Sequence, residues 1–166
     1  MKLYIKQRVF SFRDKYDIYD ENQNTIYYVE SKLFSFLAKI NLFNHMGEVE
    51  YSIKQNFRFF LSEYEIYKGN ELYATIKQRM SFIKGKLDID SRIGRFYVEG
   101  NFLRRDYTIQ KNGAYFGSVH KKWLSWGDSY ELDIPNSEDA GFFCALVVAI
   151  DHCMHNNRSG GSGSNG

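Results

Sequence analysis

Cysteine is scarce in this sequence, and what there is does not suit a disulfide. Cys144 and Cys153 lie nine residues apart in one helical segment. At a rise of about 1.5 Å per residue they are roughly 13 Å apart, beyond disulfide reach. The expected setting is therefore reducing and cytoplasmic. Long apolar runs are also lacking. The longest, from Ala140 to Ile150, has eleven residues, against roughly 20 for a bilayer span. The first residues, MKLYIKQRVFSFRD, hold no apolar core and no cleavage pattern, so no signal peptide is read there. No charge sign dominates: 22 basic and 20 acidic residues leave a net charge of +2. That balance gives no overall pull toward nucleic acid or membrane, and only a local patch can supply one.

What is abundant is the aromatic side chain: 13 Tyr, 14 Phe and 2 Trp. Rings and β-branched residues fit pleated, half-buried surfaces, so the bias favours sheet. A repeat orders them. IKQRVFSF begins at Ile5, VESKLFSF at Val29, IKQNFRFF at Ile53, IKQRMSF at Ile76, VEGNFLRR at Val98 and VHKKWLSW at Val119. The spacings are 24, 24, 23, 22 and 21 residues. A second signature follows eleven positions later in five units and nine later in the fifth: Tyr16, Ile40, Tyr64, Leu87, Tyr107 and Tyr130. Two positions on come Ile18, Leu42, Ile66, Ile89, Ile109 and Leu132. That period of two is the strand signature. Turn residues follow in DENQN, NHMG, KGN and KNG. Six units of two strands predict twelve strands around a shared core.

Three architectures fit that count: a β-trefoil, a small propeller and a closed twelve-stranded barrel. The C-terminal stretch chooses among them. After the single proline, Pro135, comes NSEDAGFFCALVVAIDHCMHN. Asn136 or Ser137 suits the helix cap, and Glu138 and Asp139 suit its positive end. The apolar residues of this helix point in every direction, so it must be surrounded. A barrel too wide for its own side chains to fill can surround it. The prediction is one all-β domain, residues 1–156, closed as a twelve-stranded antiparallel barrel around a helix at about 137–155. Residues 157–166 read as a flexible Gly/Ser-rich tail. Small residues at Gly117, Ala74, Ala140, Gly141 and Ala145 are expected to allow close helix–strand approach.

The stretches from Ile5 to Ser31 and from Phe142 to Cys153 resemble the tubby C-terminal-like superfamily, and within it the LURP-one-related family. The resemblance runs from about Met1 to His155. It implies a closed barrel around a buried helix. Tubby members are phosphoinositide-binding transcription regulators, and the phospholipid scramblases are distant relatives. The resemblance implies a non-enzymatic domain that binds anionic phospholipid or phosphoinositide head groups, or acts as a regulatory adaptor with a protein partner. The alternative it implies is a scramblase-like membrane protein.

The residues themselves offer little chemistry. None of His45, His120, His152 and His155 lies in a nucleophile elbow or Cys–His signature. Glu30, Asp88 and Glu131 alternate with apolar residues, as on a solvated strand face. His152 and His155 share a helix face beside Asp151 and Cys153, and zinc uses such ligands. No second Cys/His cluster completes a site, so the stretch reads as a helix end emerging into solvent. Cys144 and Cys153 read as buried apolar groups. The tail GGSG lacks the helix and lysine of a phosphate loop. The aromatics occupy core positions rather than a basic groove, so no nucleic-acid partner is expected. No cofactor or metal is expected either.

One pattern remains. If the first repeat position faces inward, the second and fourth face outward. There, Lys6, Arg8, Lys54, Lys77, Arg79 and Lys122 form a candidate basic belt for anionic head groups. It would hold the protein at the membrane periphery. The competing expectation is that these cations keep the barrel soluble and its edges unpaired.

Overall fold

Each repeat unit forms two antiparallel strands. The computed structural model describes residues 1–6, 15–32, 39–58, 61–77, 86–125 and 127–159. The strands are β1 (Lys2–Lys6), β2 (Lys15–Tyr19), β3 (Thr25–Lys32), β4 (Lys39–Asn44), β5 (Val49–Arg58) and β6 (Leu61–Lys68). They continue as β7 (Glu71–Lys77), β8 (Lys86–Ser91), β9 (Gly94–Asn101), β10 (Asp106–Lys111), β11 (Ala114–Leu124) and β12 (Gly127–Asp133). Neighbours in sequence are neighbours in the sheet, and β12 returns to pair with β1. Leu3 lies opposite Leu132 and Ile5 opposite Tyr130 at that seam. The result is a closed barrel with no open edge.

The repeat explains the register. Every residue that defines it is buried, from Ile5 and Val29 to Tyr130 and Leu132. They meet across the ladders, with Val29 opposite Leu42, Ile53 opposite Ile66 and Ile76 opposite Ile89. A one-residue slip would turn each set outward, so burial locks the pairing. Four ladders shift register directly after the second apolar residue of a unit, at Ile18/Tyr19, Leu42/Phe43, Ile66/Tyr67 and Ile109/Gln110. Such bulges bend a strand and raise its twist, which helps a sheet to curl closed. The turns repeat their chemistry too. Asp20 Oδ1 accepts from the amides of Asn22 and Asn24, and Asn44 Oδ1 accepts from those of Met46 and Glu48.

Helix α1 (Ala140–Ser159) threads the barrel. A 3-10 turn (Ser137–Asp139) precedes it, with Asn136 Oδ1 accepting from the Glu138 amide. Every residue from Ala140 to Cys153 is buried. The core thus consists of strand residues around an apolar rod. Phe142 meets Tyr51, Tyr73, Phe96 and Phe116 at ring distances of 5.9, 4.9, 5.5 and 6.4 Å. Close approach is real at two of the expected small residues. A Cβ on Gly117 would lie 2.3 Å from Phe143 Cε2, and one on Gly141 would lie 1.9 Å from Glu50 Oε1. The helix runs past Asn156 to Ser159, and 160–166 lie outside the described residues.

Two sequence expectations are corrected. The helix does not emerge into solvent at DHCMH, since Asp151, His152 and Cys153 are all buried. Glu131 stands on the outer face but is not solvated. Lys2 Nζ, Tyr4 Oη and Lys122 Nζ converge on its carboxylate at 3.0, 3.2 and 3.7 Å.

Candidate functional site

The two ends of the barrel differ in charge. At one end lie the tight hairpins joining β2 to β3, β4 to β5, β6 to β7, β8 to β9 and β10 to β11. At the other end, six strand termini are lysines: Lys6, Lys15, Lys32, Lys39, Lys77 and Lys86. All but Lys6, which is half-buried, are exposed. Lys15 is partly neutralised by Glu30 at 2.6 Å and Lys86 by Glu99 at 3.4 Å. The hairpin end carries six acids in or beside its connections, Asp20, Glu21, Glu48, Glu71, Glu138 and Asp139, against Lys68, Arg92 and Lys111, of which Arg92 pairs with Glu71. The strands themselves contribute little net dipole, so these side chains set the polarity of the barrel wall.

A groove of about 530 Å³ opens at the lysine end, lined by Arg104, Asp106, His120, Lys121 and Tyr130. The shortened fifth unit builds one wall. It joins β9 to β10 by a 3-10 turn (Phe102–Arg104), capped by Asn101 Oδ1 on the Arg104 amide. Arg105 then takes a left-handed conformation, φ 51°, which starts β10. Strand β11 builds the other wall. Alternation from buried Val119 puts His120 and Lys122 on the outer face and Lys121 on the inner one. His120 Nδ1 lies 2.6 Å from Asp106 Oδ1, which orients the imidazole. Lys121 Nζ lies 5.4 Å from the ring of Trp123. The groove thus gathers three basic side chains against one carboxylate, an arrangement suited to holding an anion.

Behind the groove the barrel mouth is polar. Arg105 Nε donates to Asp151 Oδ1 on α1 at 2.7 Å, and its guanidinium lies 5.1 Å from the Tyr130 ring. Tyr64 Oη donates to the His152 carbonyl at 3.2 Å. Burial pushes the Asp151 carboxyl up to about 7, and Arg105 offsets part of that rise. Burial lowers the Arg105 pKa, and the Asp151 carboxylate more than offsets it, leaving it above its ordinary value. Burial also raises the Tyr16 and Tyr107 hydroxyls, with the Asp151 charge adding to the effect. It pushes the Cys153 thiol up to about 12 and the Cys144 thiol higher, so neither is a ready thiolate. Both cysteines are free and buried. Among the described residues, no three His, Cys, Asp or Glu side chains gather as metal ligands.

The sequence-derived belt is not one patch. Lys6 and Lys122 flank β12, both opposite Ser129. Lys54 and Lys77 flank β6 across the barrel, opposite Glu65 and Glu63. Lys54 Nζ lies 4.3 Å from the Tyr67 ring, and Lys6 Nζ lies 5.2 Å from that of Tyr19. Lys77 shares a small pocket with Asp88, Asp90 and Arg95. Arg8 and Arg79 lie outside the described residues. Arg104, His120 and Lys121 are not among the belt residues that the repeat suggests, although His120 holds an outward second position of the sixth unit. For Arg104 the available signal was the two-residue shortening of unit five, which contains a pair of arginines.

The comparisons with known proteins agree with this architecture. The LURP-one-related family profile matches residues 1–151. The uncharacterised protein YxjI of Bacillus subtilis strain 168 is 31% identical over 156 residues, covering 94% of this chain and 95% of its own. A solved X-ray structure of an Arabidopsis thaliana protein superimposes with a TM-score of 0.65 at 20% identity, covering 91% of this chain and 89% of that one. At that identity the likeness bears on the fold alone. Fold, profile and relative coincide over nearly the whole length, and the chain belongs to the LURP-one-related family.

Proposed function

We propose that this chain is a non-enzymatic, tubby-like domain that binds anionic phospholipid or phosphoinositide head groups at the lysine end of its barrel. One observation carries the reading: cations are concentrated at that end, around a groove holding Arg104, His120 and Lys121. Each cation near a negatively charged leaflet contributes about 1 kcal/mol, so several acting together suffice for peripheral binding. Lys6, Lys77 and Lys122 belong to the same end and add to it. In this reading Lys54 is a peripheral contributor, and Arg8 and Arg79 extend the belt in sequence. The domain acts from the cytoplasmic side as a peripheral protein. Among the described residues no helix is long and apolar enough to cross a membrane, and α1 is sealed inside the barrel.

Liposome flotation tests this. Wild-type protein should float with phosphatidylcholine vesicles containing phosphatidylserine or phosphoinositide, and not with phosphatidylcholine alone. Arg104→Glu with Lys121→Glu should lower recovery by at least about tenfold, because reversing two charges removes several times RT of attraction. Equal recovery on all vesicles at low salt would refute the lipid reading. Retained recovery in the charge-reversed variant would move the site elsewhere.

A further inference from the structure

We propose that Leu103 and Trp123 are the paired wedge by which the lysine end enters the interface of an anionic bilayer. The inference rests on the lipid-binding reading above and adds the docking face and its depth. Among the described residues, two large apolar side chains stand out at this end: Trp123 is 80% exposed and Leu103 is 59% exposed. Arg104 follows Leu103 directly, and Lys121 and Lys122 precede Trp123. Apolar tips bordered by cations match the two layers an anionic interface offers, phosphates outside and acyl chains beneath. Tryptophan in particular settles at that boundary, ring in the apolar layer and N–H toward water.

The backbone under both side chains is fixed beforehand. Phe102, the other neighbour of Leu103, is buried and lies 5.4 Å from the Tyr107 ring. The Asn101 cap and the Arg105–Asp151 bond tie down the rest of that turn. Trp123 stands on a ladder that continues to Leu124 opposite Gly127. Little conformational freedom is therefore lost on insertion, which favours binding. The hairpin end also exposes apolar groups, Met46, Val49 and Leu72. They stand beside Glu48 and Glu71, and although Arg92 pairs with Glu71, the acids of that end outnumber Lys68, Arg92 and Lys111, so an anionic surface repels it. Charge complementarity selects the Leu103–Trp123 end for the bilayer.

The chain has two tryptophans, so Trp126→Phe leaves Trp123 as the reporter. With phosphatidylcholine vesicles containing phosphatidylserine, its emission should shift to the blue. Lipids brominated high on the acyl chain should quench it. Leu103→Ala and Trp123→Ala should each weaken vesicle binding about tenfold, from the loss of one inserted side chain, with melting temperatures unchanged. Should Trp126→Phe itself lower the melting temperature, Leu103→Asp in the wild-type background carries the same test and should abolish sedimentation with vesicles. Full binding with an unshifted, unquenched Trp123 would overturn the wedge and leave head-group binding standing. So would undiminished binding of the Leu103 and Trp123 variants, which would fit a protein partner on this face. No binding by the wild type to any vesicle would overturn both readings.

Discussion

Arg105 Nε donates to Asp151 Oδ1 at 2.7 Å, and this contact fastens the C-terminal half of the central helix to the turn between β9 and β10. The two residues lie 46 positions apart in the chain. Both are largely buried, with side chains 14% and 9% exposed. The pair therefore does two things: it neutralises a buried carboxylate and it anchors the wall of the anion-holding groove.

The pH dependence of stability follows from this pair. Burial raises the Asp151 carboxyl to about 7 in the folded protein, despite Arg105, from about 4 in the unfolded chain. The folded state thus holds this proton more tightly than the unfolded state. Its contribution is complete below about 4 and is lost as pH rises through about 7. Relative to Asp151→Asn, the wild type should lose up to about 1.4 kcal/mol of stability per pH unit across that window. Urea midpoints of the two proteins at pH 5 and pH 8 check it. A difference between them that stays constant with pH would show that Asp151 does not titrate in this range.

Gly117 is predicted to tolerate no side chain. An added Cβ would meet Phe143 Cε2 at 2.3 Å and the Asp133 carbonyl at 2.6 Å. The ring can turn aside, but the backbone oxygen cannot do so without disturbing the ladder between β11 and β12. Gly117→Ala should destabilise by about 1–3 kcal/mol, the usual cost of overpacking. That corresponds to a fall of several degrees in Tm for a chain of this size. Phe143→Leu in the same background should recover part of the loss and so separate the ring contact from the backbone contact. An unchanged Tm for Gly117→Ala would contradict the close approach of helix and sheet.

The fold was legible because the barrel repeats and because its core alternates. Tyr16 with Ile18 and Tyr130 with Leu132 report the same geometry at opposite ends of the chain, and both pairs are buried. The all-round apolar run of α1 then had one place to go. The bulges were not legible, since they depend on backbone hydrogen bonding that no side-chain pattern encodes. Glu131 misled for a related reason. Alternation correctly put it on the outer face, but the convergence of Lys2, Tyr4 and Lys122 depends on register across three strands. The candidate site was half legible. Lys6, Lys77 and Lys122 emerged from the repeat, yet their shared end becomes visible only once strand boundaries are known. Arg104 falls at a repeat position that is not basic in the other units, and Asp151 lies outside the repeat, so neither drew attention.

Val147 has no exposed surface at all, and the residues from Ala140 to Ile150 around it are apolar. Val147→Asp places a carboxylate among apolar side chains. The group must either stay ionised in an apolar core or bind a proton well above its ordinary pKa, at a cost of several kcal/mol either way. With typical domain stabilities of about 5–15 kcal/mol, such a loss removes much of the folded population. Lys54 is exposed on the outer face, and its ammonium borders the Tyr67 ring. Lys54→Gln gives up that contact and an exposed charge, a change of about 1 kcal/mol or less. Soluble expression and thermal melting should therefore separate the two variants sharply, with Val147→Asp lost from the soluble fraction and Lys54→Gln close to wild type. Equal melting would mean that α1 can leave the barrel without unfolding it, and the buried-rod description of the core would have to be abandoned.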